Sequence, residues 1–456
     1  MGGYIEQPRF SCALAGQQTV LAIPRALPVV HAGPGCSGKV FAFSATNAGF
    51  QGEGYGGGGA VSSTNTGETD VVFGGEPKLE RFVGNALRVL DGDLFVILSG
   101  CTSGLIGDDV VRVAQQYARD GHPVIGAETP GFRGNSYVGH EIVVHEIIDQ
   151  FVGDVTPAVR PGLVNVFASV PPQNPFWRGD LAEIKRVLEG IGLQVNILFG
   201  AGSAGISEWR DLPNAQFNLV LSPWVGLDAA ELAEKKYGTP YLHLPFLPIG
   251  PELTGKTLRT IADFAGLPAG PVEEFIAHEE LVFYDYFVST ADFVADYRNM
   301  IPSELYVVGD SAYALGATAF LVNELGFVPE GIYLTDDPPE NRQSDIRQAL
   351  SDIVADLGDG DPVPRFEIDG RAIQDSIRTR LHGSTKALIL GSTWEDYLAR
   401  ETGNLSLHLS LPITNDVVID RSYAGYRGGL RLMEDVYTSI FKAGDIADTT
   451  LTRNKQ

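Results

Sequence analysis

The sequence predicts an α/β protein made of three doubly wound (Rossmann-like) parallel-sheet domains. Short apolar runs recur along the whole chain, and each is followed by roughly 10–20 residues with helical spacing. Most of these runs are apolar throughout rather than alternating, as strands covered on both faces must be. Many end in glycine-rich turns that open the next helix, the mark of crossover connections between parallel strands. A chain of 456 residues, 44% of them hydrophobic, is long enough for three cores of this kind.

The first domain is placed at residues 1–160. Residues 1–11 read as an irregular arm, and Ala13–Leu21, after Cys12, as a small-residue helix. Val29–His31 ends a buried strand and runs into the glycine-rich turn Ala32–Lys39, with a helix from about Gly38. The glycine-rich stretch 49–67 is either a surface linker or a loop whose backbone must pass close to a ligand or partner. A helix is expected over Lys78–Val89, with Pro77 near its first position, where the missing N–H costs nothing. Strand Leu94–Leu98 stops at Ser99-Gly100-Cys101. Helix 108–119, strand Pro123–Gly126, loop Thr129–Ser136 and a helix at about 138–152 follow.

Pro157 and Pro161, within Gly153–Gly162, mark a boundary, so the second domain is placed at 161–300. Its strands are Leu163–Ala168, Gln194–Leu198, Asn218–Leu221 and Tyr241–Leu244. A long helix over Pro271–Met300 closes it. The third domain, 301–456, opens on a strand ending at Gly309-Asp310, with Ser311 as N-cap of helix 312–325. Strands Gly331–Thr335, Pro364–Ile368, Ala387–Leu390 and Leu405–Leu411 alternate with helices. A final helix at about 427–442 precedes a frayed polar tail from Asp448.

Composition narrows the function. Fifty-seven acidic against 33 basic residues give a net charge of −24, so nucleic acid and anionic lipid are poor partners. No apolar run reaches the roughly 18 residues of a membrane span, and no secretory signal is expected at the N-terminus. Three cysteines are too few for a disulfide framework, so a reducing, cytoplasmic location is expected.

Gly33–Lys39 matches the G-x-x-x-x-G-K part of a phosphate-binding loop, but Val40 stands where a hydroxyl must hold Mg²⁺. The loop is therefore read as a steric turn. None of the eight histidines sits in an H-E-x-x-H or C-x-x-C setting, and no G-x-S-x-G elbow is present. His31 and His140 lie near the cysteine loops and are read as structural.

The cysteines carry more signal. A cysteine in an intracellular chain is ordinarily a buried structural thiol. Here Cys12, Cys36 and Cys101 all fall near glycine-rich turns of the first domain. Cys36 and Cys101 lie where a strand gives way to a helix, where backbone N–H groups and the helix dipole favour a thiolate. Three thiolates suggest an Fe–S cluster but cannot complete a four-cysteine set. The missing coordination must then come from another chain, another residue type or a cluster shared across an interface, so the iron reading carries an obligate partner.

Several stretches together resemble component 1 of nitrogenase and its relatives, in an order that runs over nearly the whole chain. They are Cys12, His31–Cys36, Val71–Gly75, Gly100–Asp109 and Pro130–Gly134, then Gly391–Thr393 and Tyr423–Gly429 towards the C-terminus. The resemblance implies a nitrogenase component 1-like, three-domain oxidoreductase subunit paired with a homologous α-type chain in an α2β2 heterotetramer. Cys12, Cys36 and Cys101 would be this chain's share of an interfacial [8Fe-7S] P-cluster-type centre, with [4Fe-4S] as the lesser alternative. The amides of Gly35 and Gly100 would hydrogen-bond its sulfurs. No cysteine follows Cys101, so the catalytic iron–sulfur cofactor is expected in the partner, and this chain looks like the electron-relay β-type subunit.

A homodimeric ATP-dependent iron protein would supply the electrons, and this chain would contribute no catalytic acid or base to the substrate. Gly131 corresponds to the serine that can ligate the P-cluster in the family. Gly104–Gly107 and Gly131–Gly134 are closer to α-type and assembly-type chains than to ordinary β subunits. These mixed features point to a methylthio-alkane reductase, which reductively cleaves C–S bonds. The alternatives are a β subunit of an iron-only or vanadium nitrogenase, a cofactor-assembly scaffold subunit, and a dark-operative tetrapyrrole reductase subunit.

Overall fold

The computed structural model describes residues 5–6, 12–39, 47–49, 51, 61–354, 363–381 and 386–453, with side chains to residue 441. Residues 52–60, most of the glycine-rich stretch, and Val40 of the phosphate-loop-like motif lie outside them. Three parallel sheets follow one another along the chain. The first holds β1 (Ala26–His31), β2 (Ser62–Ser63), β3 (Leu94–Ser99) and β4 (Val124–Ala127), in the spatial order β2-β1-β3-β4. The second holds β5 (Arg160–Phe167), β6 (Gln194–Asn196), β7 (Ala215–Val220) and β8 (Tyr241–His243), in the order β6-β5-β7-β8. The third holds β9 (Glu304–Gly309), β10 (Val328–Leu334), β11 (Arg365–Phe366), β12 (Ala387–Gly391) and β13 (Leu405–His408), in the order β11-β10-β9-β12-β13. In each sheet the chain winds outward from its first strand in both directions, which is the doubly wound arrangement the sequence predicts.

Alternation within strands explains how the sheets share a core. Leu94, Val96 and Leu98 of β3 face an apolar body that runs continuously through all three sheets. Phe95 and Ile97, on the opposite face, pack with Leu79, Val83, Val110 and Val113 under the outer helices. In β9, Leu305 and Val307 likewise face inward while Tyr306 and Val308 face an outer cluster with Ile373 and Ile389. Burial on both faces is why these strands read as unbroken apolar runs.

Buried polar contacts lock the sheets together. Asp180, in helix Trp177–Gly190, accepts from the Ser422 hydroxyl at 2.8 Å and from the amides of Tyr423 and Ala424 at 2.8 and 3.0 Å. The Tyr313 hydroxyl, from the third sheet's first helix, donates to the same carboxylate. Burial raises this carboxyl to about 6, against the pull of those donors. At both ends of the first domain's N-terminal region the chain is tied to its last third. Gly370 N–H donates to the Glu6 carbonyl at 2.7 Å, and Gly49 N–H to that of Ile413 at 3.0 Å.

Several local expectations are corrected. The helix expected from Gly38 already begins at residue 34, so Cys36 lies inside its first turn; proline is well suited to such a start. Asp310, not Ser311, is the N-cap, its carboxylate facing the Tyr313 amide; Ser311 is the first helical residue and donates to Asp336 at 2.5 Å. The long helix expected over Pro271–Met300 is two helices, Ala269–Val288 and Ala291–Tyr297. At the break the Ser289 and Thr290 hydroxyls donate to the carbonyls of Asp285 and Phe287, satisfying backbone acceptors outside a regular ladder. The C-terminal helix runs from Gly425 to Arg453, past the start expected for the tail.

Candidate metal centre

Ligands of open α/β sheets bind beyond the carboxyl ends of the strands, where the winding direction reverses. In the first sheet that point lies between β1 and β3, which end side by side with His31 opposite Ser99. Cys36 follows β1, in the first turn of its helix, and Cys101 follows β3 as the first residue of helix Cys101–Ile106. Cys12 enters from the N-terminal side, immediately before the single turn Ala13–Ala15. That turn packs backbone-to-backbone against helix Ser136–Glu146, because a Cβ on Gly139 would stand 2.0 Å from the Ala13 carbonyl oxygen.

Two of the thiols, Cys12 and Cys101, meet at a position without a side chain, and Cys36 lies near enough to act electrostatically on Cys12. Gly131, in the loop after β4, donates its N–H to Cys101 Sγ at 3.2 Å. A Cβ at Gly131 would come within 3.0 Å of both Cys101 Sγ and Cys12 Sγ. Cys101 is exposed and the other two cysteines are half-buried. Among the described residues no three His, Cys, Asp or Glu side chains stand close enough to share a single metal ion. Two thiols at a bare glycine with a third nearby instead suit a polynuclear iron–sulfur group, whose separate irons reach separated sulfurs.

The electrostatics differ from expectation. Burial pushes the Cys12 thiol above its ordinary value, opposed by the Leu14 amide, and the Cys101 and Cys36 thiols add to the rise. Burial, then Cys101, raises Cys36 as well. Desolvation is the largest cause at Cys36, opposed by Lys39. The amide expected from Gly100 is committed elsewhere: it donates to the His31 carbonyl at 3.0 Å and to Ser103 Oγ. Gly131 supplies the sulfur contact in its place. Gly35 sits beside Cys36 with open space where a Cβ would point.

Both histidines near the cysteines are structural. His140 is buried against Thr19 Oγ1 at 2.9 Å, and burial lowers it to about 3, so it stays neutral. His31 is buried between Thr64 Oγ1 at 3.0 Å and Asp108 Oδ2 at 2.8 Å, and burial lowers it too, against the pull of Asp108. Sequence reasoning quoted Asp108 and Gly75 in the stretches that carry the resemblance but missed their contact. The Asp108 carboxylate accepts the Gly75 amide through both oxygens, at 2.9 and 3.1 Å, and the paired glycines Gly74-Gly75 were the available signal.

Four large apolar side chains are exposed on the Cys101 helix and the segments that adjoin it. Val72 (72% exposed), Phe73 (81%), Leu105 (76%) and Phe132 (62%) stand on the short helix Glu68–Phe73, on the Cys101 helix it packs against, and on the Gly131 loop. Large apolar groups clustered and exposed in this way mark an interaction surface. Among the described residues no helix is long and apolar enough to cross a membrane.

Comparison with known proteins identifies the family and the fold. The chain is 23% identical to the nitrogenase iron-iron protein beta chain of Rhodobacter capsulatus, over 98% of this chain and 95% of that one. It is 24% identical to the nitrogenase iron-molybdenum cofactor biosynthesis protein NifE of Methanococcus maripaludis, over 94% and 82%. It is 28% identical to the nitrogenase molybdenum-iron protein alpha chain of Methanothermobacter marburgensis, over 280 residues that span only 56% of either chain. A solved nitrogenase structure, Cp1 at pH 6.5, shares the fold with a TM-score of 0.78 at 20% identity, over 97% of this chain and 94% of that one. The family model for nitrogenase component 1 type oxidoreductases matches residues 12–441, from the first cysteine to the C-terminal helix, and the chain belongs to that family.

Proposed function

We propose that this chain is the β-type, electron-relay subunit of a nitrogenase-like reductase. Cys12, Cys36 and Cys101 would hold this chain's side of an interfacial Fe–S cluster of the [8Fe-7S] type, and a homologous α-type partner would supply the remaining ligands in an α2β2 assembly. When bound, such a cluster supplies one-electron redox capacity at low potential. The observation that supports the reading is the meeting of the Cys12 and Cys101 thiols at Gly131, with Cys36 close enough to act on Cys12 and with Leu105 and Phe132 exposed on the adjoining segments. Gly131 N–H would stabilise charge on the Cys101 sulfur, and Leu105 and Phe132 would exclude water once a partner covers them. The exposed tip at Val72 and Phe73 would meet the homodimeric ATP-dependent iron protein.

With no cysteine after Cys101, the catalytic cofactor is assigned to the partner, and this chain places no acid or base on the substrate. The reaction we assign is reductive C–S cleavage of methylthio-alkanes. Likeness along most of the chain to NifE favours a second reading, a cofactor-assembly scaffold. A β subunit of an iron-only nitrogenase is a third, favoured by the Rhodobacter relative. The deciding experiment is anaerobic co-purification with the homologous α-type chain, an iron count, and assay for methanethiol from methylthio substrates alongside ammonia from dinitrogen. Methanethiol without ammonia supports the C–S reductase. Ammonia identifies a nitrogenase, transfer of a cofactor to an apo-enzyme without turnover identifies a scaffold, and a complex without iron ends the reading.

A further inference from the structure

We infer that the cavity where the three sheets meet beside helix Ser136–Glu146 is a binding site for a small organic cation of the alkylammonium class, with Glu141 as its counter-charge. The inference goes beyond the cluster reading and does not depend on it. The cavity has a volume of about 400 Å³, within the range of small-molecule sites. Each sheet contributes to it from the carboxyl end of a strand: Glu128 directly after β4, Trp224 shortly after β7 and Pro339 shortly after β10. Ligands of open α/β sheets bind beyond those ends. Val111, Val138, Ile142, Trp224 and Pro339 form apolar walls. The indole N–H of Trp224 already donates to Asp336 at 2.7 Å, so this side chain has only ring carbons left to offer.

The charged groups of the lining decide which ligand fits. Arg133 pairs with Glu128, His145 with Glu146 at 3.5 Å, and Arg342 with Asp228 and Glu231 at 3.5 and 3.4 Å. Each cationic side chain of the lining therefore has a carboxylate of its own. Glu141 is the carboxyl left over. Among the described residues no cation pairs with it, and it accepts from the Gly226 amide, at the start of helix Leu227–Tyr237, at 2.7 Å. Burial pushes this carboxyl up to about 8 against that amide; Asp228 adds to the rise and His145 opposes it. Near neutral pH Glu141 is thus mostly protonated, and a cation beside it would restore its charge. An anion would instead meet Glu128, Glu141, Glu146 and Asp228 in a chain of net charge −24. Apolar walls, an aromatic ring and one unpaired carboxyl suit an organic ammonium, whose alkyl groups are buried while its charge is met. A bare metal ion suits the cavity less, since among the described residues no three His, Cys, Asp or Glu side chains stand close enough to hold one.

The test is calorimetric titration of the purified complex with choline, whose nitrogen carries no proton to lose, and with neohexyl alcohol, its uncharged tert-butyl isostere. At pH 7, in buffers of different ionisation enthalpy, choline should release about one proton per site as Glu141 ionises. The alcohol should bind about tenfold more weakly and release none. Glu141→Gln keeps an acceptor for the Gly226 amide and removes the charge. It should lower choline affinity about tenfold, abolish the proton release and leave the alcohol unchanged, which assigns the signal to this chain. Ile142→Phe, which narrows the cavity without altering the carboxyl, should weaken both ligands and decides the matter if the Gln variant does not fold. Equal affinity for choline and the alcohol, choline binding without proton release, undiminished choline binding in either variant, or no choline binding at millimolar concentration overturns the site. The iron content of the same complex is a separate measurement, so failure here and failure of the cluster reading are told apart.

Discussion

The backbone amide of Gly131 donates to the sulfur of Cys101 across 3.2 Å, joining the loop after β4 to the helix after β3. Any side chain at 131 must therefore displace a sulfur, because its Cβ would stand 3.0 Å from both Cys101 and Cys12. Gly131→Ala should lower the iron content of the purified complex severalfold. The chain should still fold, with a Tm change of only a few degrees, as about 1 kcal/mol at a half-exposed loop produces in a chain of this size. Iron analysis and thermal denaturation of the same preparation check this.

Removing Cys101 should cost more than a potential. Ligand binding and assembly of the site are coupled free energies, so Cys101→Ala should lose iron and shift the complex towards separated subunits. Cys101→Ser should keep part of its cluster, because oxygen is a poorer ligand but still one. A merely structural thiol gives the opposite pattern, with Ala tolerated at about 1 kcal/mol and the iron retained. Anaerobic gel filtration with iron analysis separates the two.

Leu105→Asp and Phe132→Asp should abolish the heteromeric complex while leaving the isolated chain stable to within about 0.5 kcal/mol, since both side chains are exposed in the single chain. Equal yields of soluble chain with no co-purified partner is the expected result. Retention of the partner by both variants would show that the apolar rim lies outside the interface.

Asp180→Ala leaves Tyr313 and three donors from the C-terminal segment without their buried acceptor. It should destabilise the chain by about 3 kcal/mol or more, whereas Asp180→Asn, which keeps an acceptor oxygen, should cost about 1 kcal/mol. Urea unfolding of the isolated chain measures both.

His408 gives a pH test away from the thiols. Burial opposes its charge, but Asp396 at 2.9 Å and Asp416 at 3.8 Å raise it to about 9. A histidine whose folded value lies above its ordinary one stabilises fully below about pH 6.5 and loses that contribution as pH rises through about 9. His408→Gln should therefore lower Tm most near pH 6, by an amount equivalent to about 2 kcal/mol, and hardly at all near pH 10. A pH-independent difference in Tm would remove the ion pairs as its cause.

What was legible in the sequence follows physical lines. The run Leu94–Ser99 and the cysteine after it are read without ambiguity, because a strand buried on both faces leaves an unbroken apolar stretch and a glycine marks its end. Strand β2 is only Ser62–Ser63, two polar residues that pair with β1 through backbone atoms, and nothing in their side chains announces it. Asp310 and Ser311 are both good caps, and only the backbone angles select the first. The resemblance placed Gly131 at the cluster by the side chain it lacks, but its amide bond to Cys101 was not legible. Gly131 is 30 residues away and contributes an amide, the one group every residue but proline carries. The bond from His31 to Asp108 spans 77 residues, and no local pattern records it.

The ties of Glu6 to Asp369 and Gly370, and of Gly49 to Ile413, bear on synthesis. They bracket Cys12 in the chain, and the first joins residues 363 positions apart. On the ribosome the cysteine-bearing segments emerge first, but the groups that fasten both flanks of Cys12 are among the last made. Asp180 likewise waits for Ser422, Tyr423 and Ala424 before its carboxylate is satisfied. A nascent chain therefore carries its thiols for most of translation in an unfinished setting. A chain truncated before residue 369 retains every cysteine yet lacks Asp369, Gly370, Ile413 and all three C-terminal donors to Asp180, so a cluster held at these thiols would be loaded after chain release.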